Sequence, residues 1–431
     1  MKTPKSINQY SNYFKNTRRS FLSSLAMLPA GLGLMGSSSI EKQATKQNFP
    51  KEAKLPCPEL FDIEGTYLNA AFTHPMSRGS AQAVKGYLDT RMQNGKSNYN
   101  MREDRTACVN LFAGLINAEP EEIAWIPSTM VGENIIASGL GLPGSKHRVV
   151  TDAYHFDGSL YMYGEYAKQG LDLHIVEPKN NKIDLEEMEA AITPGTKLVA
   201  VSLVSMINGF EHDLKALCEI AHAKGALVYA DIIQAAGAVP IDVKDCGIDF
   251  CACSTFKWLM GDFGSGFLYV KKDSLKHLQR SQYGYRQLTA MDSHIFPFDE
   301  SGNQPFTWKS GESTGQHFEV GTLGNEAIPA LKYSLELLSN TGVDKIQAHR
   351  KPMIELLQKE LPKSGYQAMT PADSTAPIIT FAYENAAKRL KPKIEAAKIN
   401  IQLYENRLRV SPSIYNSVAD IEKLVGVLKS V

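Results

Sequence analysis

The chain has 431 residues, of which 43% are hydrophobic and 21% are charged. This composition is that of a globular protein with at least one large core, and it excludes a disordered or fibrous chain. The 46 basic and 46 acidic side chains cancel, which disfavours nucleic acid as a partner. Residues 1–40 carry five bases and no acid, leaving 41 bases against 46 acids and a net charge of −5 in the rest.

The basic N-terminal segment has the order of an export signal. Arg18 and Arg19 precede a broken apolar stretch at 25–35, which small residues follow. The stretch is shorter than the about 20 apolar residues that span a bilayer. The paired arginines resemble the twin-arginine export signal; a membrane anchor is the alternative. Residues 1–40 are therefore predicted to be a signal peptide read by the twin-arginine export machinery, with a bacterial periplasmic location, and residues 41–65 to be a linker.

The cysteines are expected to be buried and reduced. A chain that folds in the reducing cytosol before export would bury its thiols unpaired, although the periplasm permits disulfides. Cys251 and Cys253 alternate in a predicted strand, so they should face the same side. No second cysteine or histidine pair with zinc spacing accompanies them, and no metal site is predicted.

Short apolar runs alternate with helical patterns between residues 120 and 270. The predicted strands are Ile123–Pro127, Arg148–Thr151, Leu171–Val176, Leu198–Leu203, Ala226–Ala230, Phe250–Cys253 and Phe267–Val270. The helices predicted between them are Val131–Leu140, a helix ending near Lys168, Leu185–Ile192 and Leu214–Lys224. This alternation predicts a mainly parallel α/β sheet with helices on both faces. Ligands of such sheets bind beyond the carboxyl ends of the strands.

The C-terminal part is predicted to form a second, smaller α/β unit. A Gly/Ser/Asn-rich segment at about 290–322 is interpreted as a loop, and a long helix is predicted at Gly324–Ser339. The predicted domains are thus a large domain at 66–322 and, at 323–431, a linking helix with a small domain.

Two side chains of opposite charge, an aspartate and a lysine, follow neighbouring predicted strands. Asp231 ends one strand, and Lys257 comes a few residues after the next. Both are expected at the carboxyl edge of the sheet. A lysine amine can form an imine with an aldehyde cofactor, and a carboxylate can keep a pyridine nitrogen protonated. A structural Asp–Lys ion pair is the alternative, and spacing alone favours it.

Several short motifs follow one another along the chain. They are Tyr67-Leu68-Asn69-Ala70-Ala71, Asp231-x-x-Gln234, Ser254-x-x-Lys257-Trp258-Leu259, Gly264-Ser265-Gly266-Phe267-Leu268-Tyr269-Val270, and Arg409-Val410-Ser411-Pro412-Ser413-Ile414-Tyr415-Asn416. Together they resemble the class V aminotransferase family, from about Thr66 to the C-terminus. The resemblance implies pyridoxal-phosphate fold type I: an α/β large domain with a mainly parallel seven-stranded sheet, and a small C-terminal α/β domain. It also implies pyridoxal 5'-phosphate (PLP) as the cofactor.

The resemblance implies roles for residues around the cofactor ring. Lys257 is implied to be the Schiff-base lysine and the base that moves the substrate proton. Asp231 is implied to pair with the pyridinium nitrogen, and Gln234 to hydrogen-bond the phenolic oxygen. His155 matches the residue that stacks on the ring; a surface loop histidine is the alternative.

Further residues are implied to hold the phosphate. Thr129 and the backbone of Met130 lie at a strand-to-helix turn that suits an anion, although a plain helix cap is the alternative there. Ser254 matches another phosphate contact, whereas Phe256 stands where many relatives carry histidine. Thr322 lies in a segment that resembles the one reaching the neighbouring subunit's phosphate, which implies a homodimer with shared sites.

Two residues are implied to bind the substrate. Arg409 resembles the arginine that holds the α-carboxylate, because guanidinium and carboxylate share two parallel hydrogen bonds. A solvated surface arginine is the alternative. Asn69 belongs to the N-terminal motif beside the active site. These two residues predict an amino acid, or an amine, as the small-molecule substrate.

Transamination is the predicted reaction. The alternatives are racemisation or epimerisation, β-elimination including C–S lyase chemistry, and a cofactor-free binding protein on the same fold. Cysteine desulfurases share the fold but need a cysteine shortly before the C-terminal arginine, and residues 254–431 contain none. The Asn208-Gly209-Phe210 sequence resembles the isopenicillin-N-epimerase-like branch of the family.

Overall fold

The computed structural model describes residues 53–94 and 101–430. The predicted signal peptide lies outside the described residues, as does the first part of the predicted linker. Within the described part of the chain, no helix is long and apolar enough to cross a bilayer.

The secondary structure alternates strands and helices through most of the described chain. The strands are β1 (Thr66–Tyr67), β2 (Ile123–Ile126), β3 (Arg148–Asp152), β4 (Asp172–Val176), β5 (Thr196–Ser202), β6 (Leu227–Asp231), β7 (Phe250–Ser254), β8 (Gly266–Val270), β9 (Leu288–Ser293), β10 (Phe306–Ser310), β11 (Gln367–Ala368), β12 (Ile379–Ala382), β13 (Ile399–Asn400), β14 (Gln402–Tyr404) and β15 (Arg407–Val410). The helices are α1 (Arg78–Asn94), α2 (Met101–Leu115), α3 (Thr129–Gly139), α4 (Asp157–Lys168), α5 (Leu185–Ala191), α6 (Leu214–Ala223), α7 (Val243–Cys246), α8 (Thr314–Phe318), α9 (Ala327–Thr341), α10 (Val343–Glu360), α11 (Ala386–Ala396) and α12 (Val418–Lys429).

A seven-stranded sheet is the centre of the fold. Its strand order is β2-β8-β7-β6-β5-β3-β4, and only β8 runs antiparallel to its neighbours. The inner strands β5 to β8 are almost continuously buried, as expected for a parallel sheet covered on both faces. The predicted α/β fold with a mainly parallel seven-stranded sheet is confirmed.

The two faces of the sheet hold separate cores. Cys251 and Cys253 on β7 point into one core, whereas Phe250 and Ala252 point into the other. The expectation that both cysteines face the same side is confirmed. All six cysteines are free, and burial raises the pKa of the Cys251 and Cys253 thiols well above the usual range. The described residues contain no cluster of metal-ligating side chains.

The segment at 290–322 differs from its prediction as a loop. It contains β10, most of its hairpin partner β9, and the short helix α8. Both strands of the hairpin are largely exposed, so neither contains the continuous apolar run by which the strands of the central sheet were predicted. The long helix α9 begins at Ala327 rather than at the predicted Gly324, because glycine is a poor helix former.

The C-terminal part has its own antiparallel sheet, in the order β11-β12-β15-β14. Helices α10, α11 and α12 share an apolar core with it. Strand β1 pairs in parallel with β13, with Thr66 opposite Ile399, so the start of the predicted large domain is attached to the C-terminal part. The predicted domain boundaries stay predictions.

Helix α3 lies close against the sheet because Gly132 has no side chain. A Cβ at Gly132 would lie 2.7 Å from Ile126 Cδ1 and 2.8 Å from the Cβ of Ala252. Ser128 caps the helix by accepting a hydrogen bond from Val131 N. This close packing fixes the N-terminus of α3 beside the ends of β2 and β7.

We predict that Gly132→Ala lowers the free energy of unfolding by about 1–3 kcal/mol, because the added methyl group forces α3 off the sheet. Gly164→Ala is the matched control, since Gly164 lies inside α4 with open space around it. It should be neutral or stabilise by up to about 1 kcal/mol. Urea unfolding measures both, and equal effects of the two substitutions would contradict the packing argument.

Candidate active site

Polar side chains occupy the carboxyl ends of four adjacent parallel strands. They are Asp152 on β3, Ser202 on β5, Asp231 on β6 and Ser254 on β7. Ser202 is the direct register partner of Asp231. Asp231 ends strand β6, as predicted, and it pairs with strands on both sides. The loops that carry the other candidate residues start from this edge.

The Asp231 carboxylate and the Lys257 amine interact electrostatically at this edge. Burial lowers the pKa of the Lys257 amine to about 8; the charge of Asp231 raises it, and that of Arg409 lowers it. Asp231 is 4% exposed, and burial raises its pKa to about 6. The backbone N–H of Ile233 moderates that rise by donating to Asp231 Oδ1 at 2.9 Å. The pKa of the amine thus lies within about one unit of physiological pH, so that part of the amine is uncharged there.

His155 is fully buried in the loop after β3, which excludes the surface alternative. Its Nδ1 lies 2.9 Å from Ser202 Oγ, and its Nε2 lies 3.0 Å from Glu133 Oε1. Burial opposes protonation, but the nearby carboxylates, above all Glu133, outweigh it and raise the pKa of the imidazole. Glu133, on α3, was not among the residues predicted from sequence.

The amide of Gln234 is oriented by two neighbours. Trp258 Nε1 donates to Gln234 Oε1 at 3.0 Å, and Gln234 Nε2 donates to the carbonyl of Ala71 at 3.0 Å. An indole N–H can only donate, so it fixes which end of the amide carries the oxygen. Trp258 belongs to the motif at 254–259, and the family resemblance implied no role for it.

Thr129 and Ser254 hold each other at the N-terminus of α3. Thr129 N donates to Ser254 Oγ at 2.8 Å, and Ser254 N donates to Thr129 Oγ1 at 2.8 Å. Ser128, rather than Thr129, is the helix cap. The first-turn N–H groups, Met130 included, lack acceptors within the helix, and the helix dipole favours an anion there. The turn is therefore built to bind an anion such as phosphate.

Arg409 reaches the site from the C-terminal sheet. It is 3% exposed, which excludes the surface alternative, and its Nη1 donates to the Met206 carbonyl at 3.0 Å. Its Nε is buried without a hydrogen-bond partner among the described residues. Asn69 is also buried; its Nδ2 donates to Asn400 Oδ1 at 3.2 Å, and its own Oδ1 has no described partner.

Thr322 lies apart from this cluster. It is exposed, and its hydroxyl lies 2.6 Å from the hydroxyl of Tyr285. No hydrogen bond among the described residues joins it to Thr129, Ser254 or Lys257. The other candidate residues meet at or near the strand ends, whereas Thr322 does not.

An aromatic pair lies next to the lysine. The ring of Phe256 stacks on that of Phe263 with centroids 4.5 Å apart, and the Lys257 Nζ lies 5.7 Å from the Phe256 centroid. The carbonyl of Phe256 accepts a hydrogen bond from His74 N at 3.1 Å, which ties the lysine loop to the N-terminal segment. Phe256 thus provides an apolar surface beside the Lys257 amine.

The comparisons with known proteins agree with this geometry. The model of the aminotransferase class-V family matches residues 67–424. The uncharacterized aminotransferase YcbU of Bacillus subtilis (strain 168) is 28% identical over 359 residues, 83% of this chain and 90% of YcbU. A probable cysteine desulfurase of Methanothermobacter thermautotrophicus is 29% identical over 297 residues, 68% of this chain and 71% of that protein.

Solved structures share the fold at lower sequence identity. The apo cysteine desulfurase of Thermococcus onnurineus NA1 has a TM-score of 0.77 at 22% identity, covering 88% of this chain and 98% of that one. A lysine-to-alanine variant of C-DES, with glycine covalently linked to its PLP cofactor, has a TM-score of 0.76 at 18% identity, covering 87% and 99%. Since the family model spans most of its length, this chain belongs to the class V aminotransferases and is a PLP-dependent enzyme.

Proposed function

We propose that the enzyme is a transaminase that acts on an amino acid or amine. One observation carries the proposal: Asp231 and Arg409, from two different sheets, both act electrostatically on the amine of Lys257. A reactive amine, an acid for the ring nitrogen and a guanidinium for a carboxylate are the groups that an amino-acid substrate of a PLP enzyme requires.

The residues at the strand ends fit PLP. The N-terminus of α3 and the hydroxyls of Thr129 and Ser254 offer hydrogen-bond donors to a phosphate. Asp231 Oδ2 accepts no hydrogen bond from the described residues, so one carboxylate oxygen is available to a pyridinium nitrogen. When bound, PLP accepts the electrons of the substrate bond that is broken at Cα.

Lys257, Asp231 and Arg409 have separate roles in the proposed reaction. Lys257, with a pKa of about 8, has a neutral fraction near pH 7 that can attack a carbonyl carbon and take a proton from the substrate Cα. Asp231 is anionic above its pKa of about 6 and stabilises a proton on a ring nitrogen. Arg409, held by the Met206 carbonyl, presents its unpaired Nε to a carboxylate.

Desulfurase chemistry with a C-terminal cysteine does not fit this chain, although several of the similar proteins carry that name. The last cysteine is Cys253, which is buried with its pKa raised well above the usual range. The thiolate, not the thiol, is the nucleophile in such reactions. Racemisation and elimination remain the outcomes against which transamination is tested.

We predict that the purified protein transfers an amino group only when a 2-oxo acid acceptor is supplied with an amino acid. Lys257→Ala should abolish turnover and the visible absorbance of the lysine-linked cofactor, because no other amine takes its place. Product analysis with a panel of amino acids measures this. Ketoacid release without an acceptor that exceeds one equivalent per cofactor would show a lyase. Inversion at Cα would show a racemase or epimerase of the kind the branch resemblance suggests, and absence of any cofactor absorbance would show a binding protein.

We predict that Arg409→Ala raises the KM of an amino acid by about 10–100-fold, the value of a hydrogen-bonded charge contact, and leaves an amine without a carboxylate little changed. Cofactor absorbance should be unaffected. Arg407→Ala is the matched control, because Arg407 lies on the same strand with its guanidinium 4.1 Å from the Tyr404 ring centroid. The KM of the Arg407→Ala variant for the amino acid should differ from that of the wild type by less than about threefold. Lost absorbance in Arg409→Ala would show that its role is misassigned.

We also propose a homodimer in which Thr322 serves the partner's site. Trp308 and Met291 lie opposite each other on the β9–β10 hairpin, and both are largely exposed, as are Ile295 and Phe298 nearby. Exposed apolar patches of this kind mark interaction surfaces. A second copy that covers the hairpin would bring the exposed Thr322 segment to the cofactor site of that copy, whereas Thr322 lies apart from the site of its own subunit.

We predict that sedimentation gives twice the monomer mass and that Thr322→Ala weakens PLP binding, because a phosphate would lose one hydroxyl donor. The loss should be about fivefold, the value of one neutral hydrogen bond. Titration of the cofactor-free protein with PLP measures it. Thr106→Ala, on the exposed face of α2 and outside the hairpin, is the control. A monomer with unchanged binding would contradict the shared site.

A periplasmic location through the twin-arginine route is the last part of the proposal. It rests on the order of basic, apolar and small residues in 1–40, with the arginine pair at Arg18 and Arg19. Cofactor loading in the cytosol before export is consistent with six free cysteines. We expect the full-length protein to stay in the cytoplasm when Arg18 and Arg19 are both replaced by lysine. Unaltered export of that variant would contradict the proposed twin-arginine route.

A further inference from the structure

A carboxylate is buried behind the predicted cofactor site without an assigned role. Glu133 is 1% exposed and lies on the inner face of α3, one turn after Thr129. Its helical neighbours Ile135 and Ile136 are buried apolar side chains. A buried carboxylate lowers stability unless it is paired and hydrogen-bonded, so its partners explain its presence.

Glu133 lies within a continuous buried series of hydrogen bonds that runs from Ser159 to Ser202. Its Oε2 accepts from Ser159 Oγ at 2.5 Å, and its Oε1 lies 3.0 Å from His155 Nε2. On the other side of the ring, His155 Nδ1 lies 2.9 Å from Ser202 Oγ. These residues come from α3, the loop after β3, α4 and β5, and each is less than 9% exposed.

Both ring nitrogens of His155 are engaged in hydrogen bonds to protein side chains. A carboxylate only accepts, so Nε2 carries a proton and donates it to Glu133. Nδ1 either accepts from the Ser202 hydroxyl or donates to it. In both states no nitrogen of the ring is free to face a substrate.

The charges around His155 act in the same direction. Burial disfavours the imidazolium, but Glu133 from α3, Asp152 from β3 and Asp231 from β6 together raise the pKa of the imidazole. Tyr163 and Tyr229 also lie near Glu133, and their own pKa values are raised well above the usual range, so they add no charge. Each charged group that acts on the ring is thus a carboxylate.

Given the proposed function, we propose that Glu133 is a positioning residue that fixes the His155 imidazole as a platform for the cofactor ring. Both ring nitrogens are bound to protein, so His155 is not an acid–base group toward the substrate. Proton transfer at the substrate Cα then rests with Lys257, whose amine lies at the same edge of the sheet.

The first test follows His155 in the cofactor-free protein. NMR of ¹⁵N-histidine-labelled protein, assigned with His155→Asn, should show Nε2 protonated throughout the titration and a titration midpoint above the ordinary 6.5. Glu133→Gln, which keeps the shape and removes the charge, should lower the titration midpoint by about one pH unit or more. An unchanged midpoint would overturn the proposal.

The matched control is another histidine–carboxylate pair. Asp249 accepts from His222 Nε2 at 2.8 Å at the start of β7, which is the opposite edge of the sheet. Asp249→Asn should leave the His155 signals where they are. A shift of those signals in Asp249→Asn equal to that in Glu133→Gln would mean a general structural effect and would overturn the proposal.

The second test separates a platform from an acid–base catalyst. The double variant Glu133→Gln/His155→Phe keeps a flat ring without leaving a buried charge unpaired. Its kcat, with PLP and substrate saturating, should fall by less than the about 10²–10⁴-fold that loss of an acid–base group costs, and a loss within that range would overturn the platform role. A wild type that takes up no PLP would refute the proposed function alone, because the NMR titration still decides the role of Glu133.

Discussion

A lysine amine and an aspartate carboxylate, both taken out of water at one edge of the sheet, form the interaction on which the site depends. Burial alone would neutralise either group, and their mutual attraction opposes that effect. The balance leaves Lys257 with a pKa of about 8 and Asp231 with a pKa of about 6. Because the pKa of this amine lies close to physiological pH, the amine can serve both as a nucleophile and as a base there.

The fold supplies this arrangement from separate parts of the chain. Parallel strands place Ser202, Asp231 and Ser254 side by side at their carboxyl ends. Gly132 lets α3 approach the sheet, which sets the anion-binding turn at its N-terminus. The C-terminal sheet contributes Arg409, and the pairing of β1 with β13 anchors the N-terminal segment whose Ala71 carbonyl orients an amide of the site.

The sequence predicted those features that depend on local pattern. Buried apolar runs marked the inner strands, and their ends located Asp231 and Lys257. Glu133 was missed because a glutamate in a helix is usually solvated, and its partners lie 22 and 26 residues away. The β9–β10 hairpin was missed because its exposed strands contain no continuous apolar run. The side-chain contact of Asn69 with Asn400, 331 residues along the chain, has no local signal either.

The buried pairing of Lys257 with Asp231 is best tested through the pKa of the Lys257 amine in the cofactor-free protein. Competitive acylation followed by mass spectrometry across pH 6–11 would provide that pKa. We predict a pKa of about 8, and a lower pKa in Asp231→Asn, because the carboxylate raises the pKa of the amine. A pKa near the ordinary 10.5 that Asp231→Asn does not change would show that the two groups do not share a buried site.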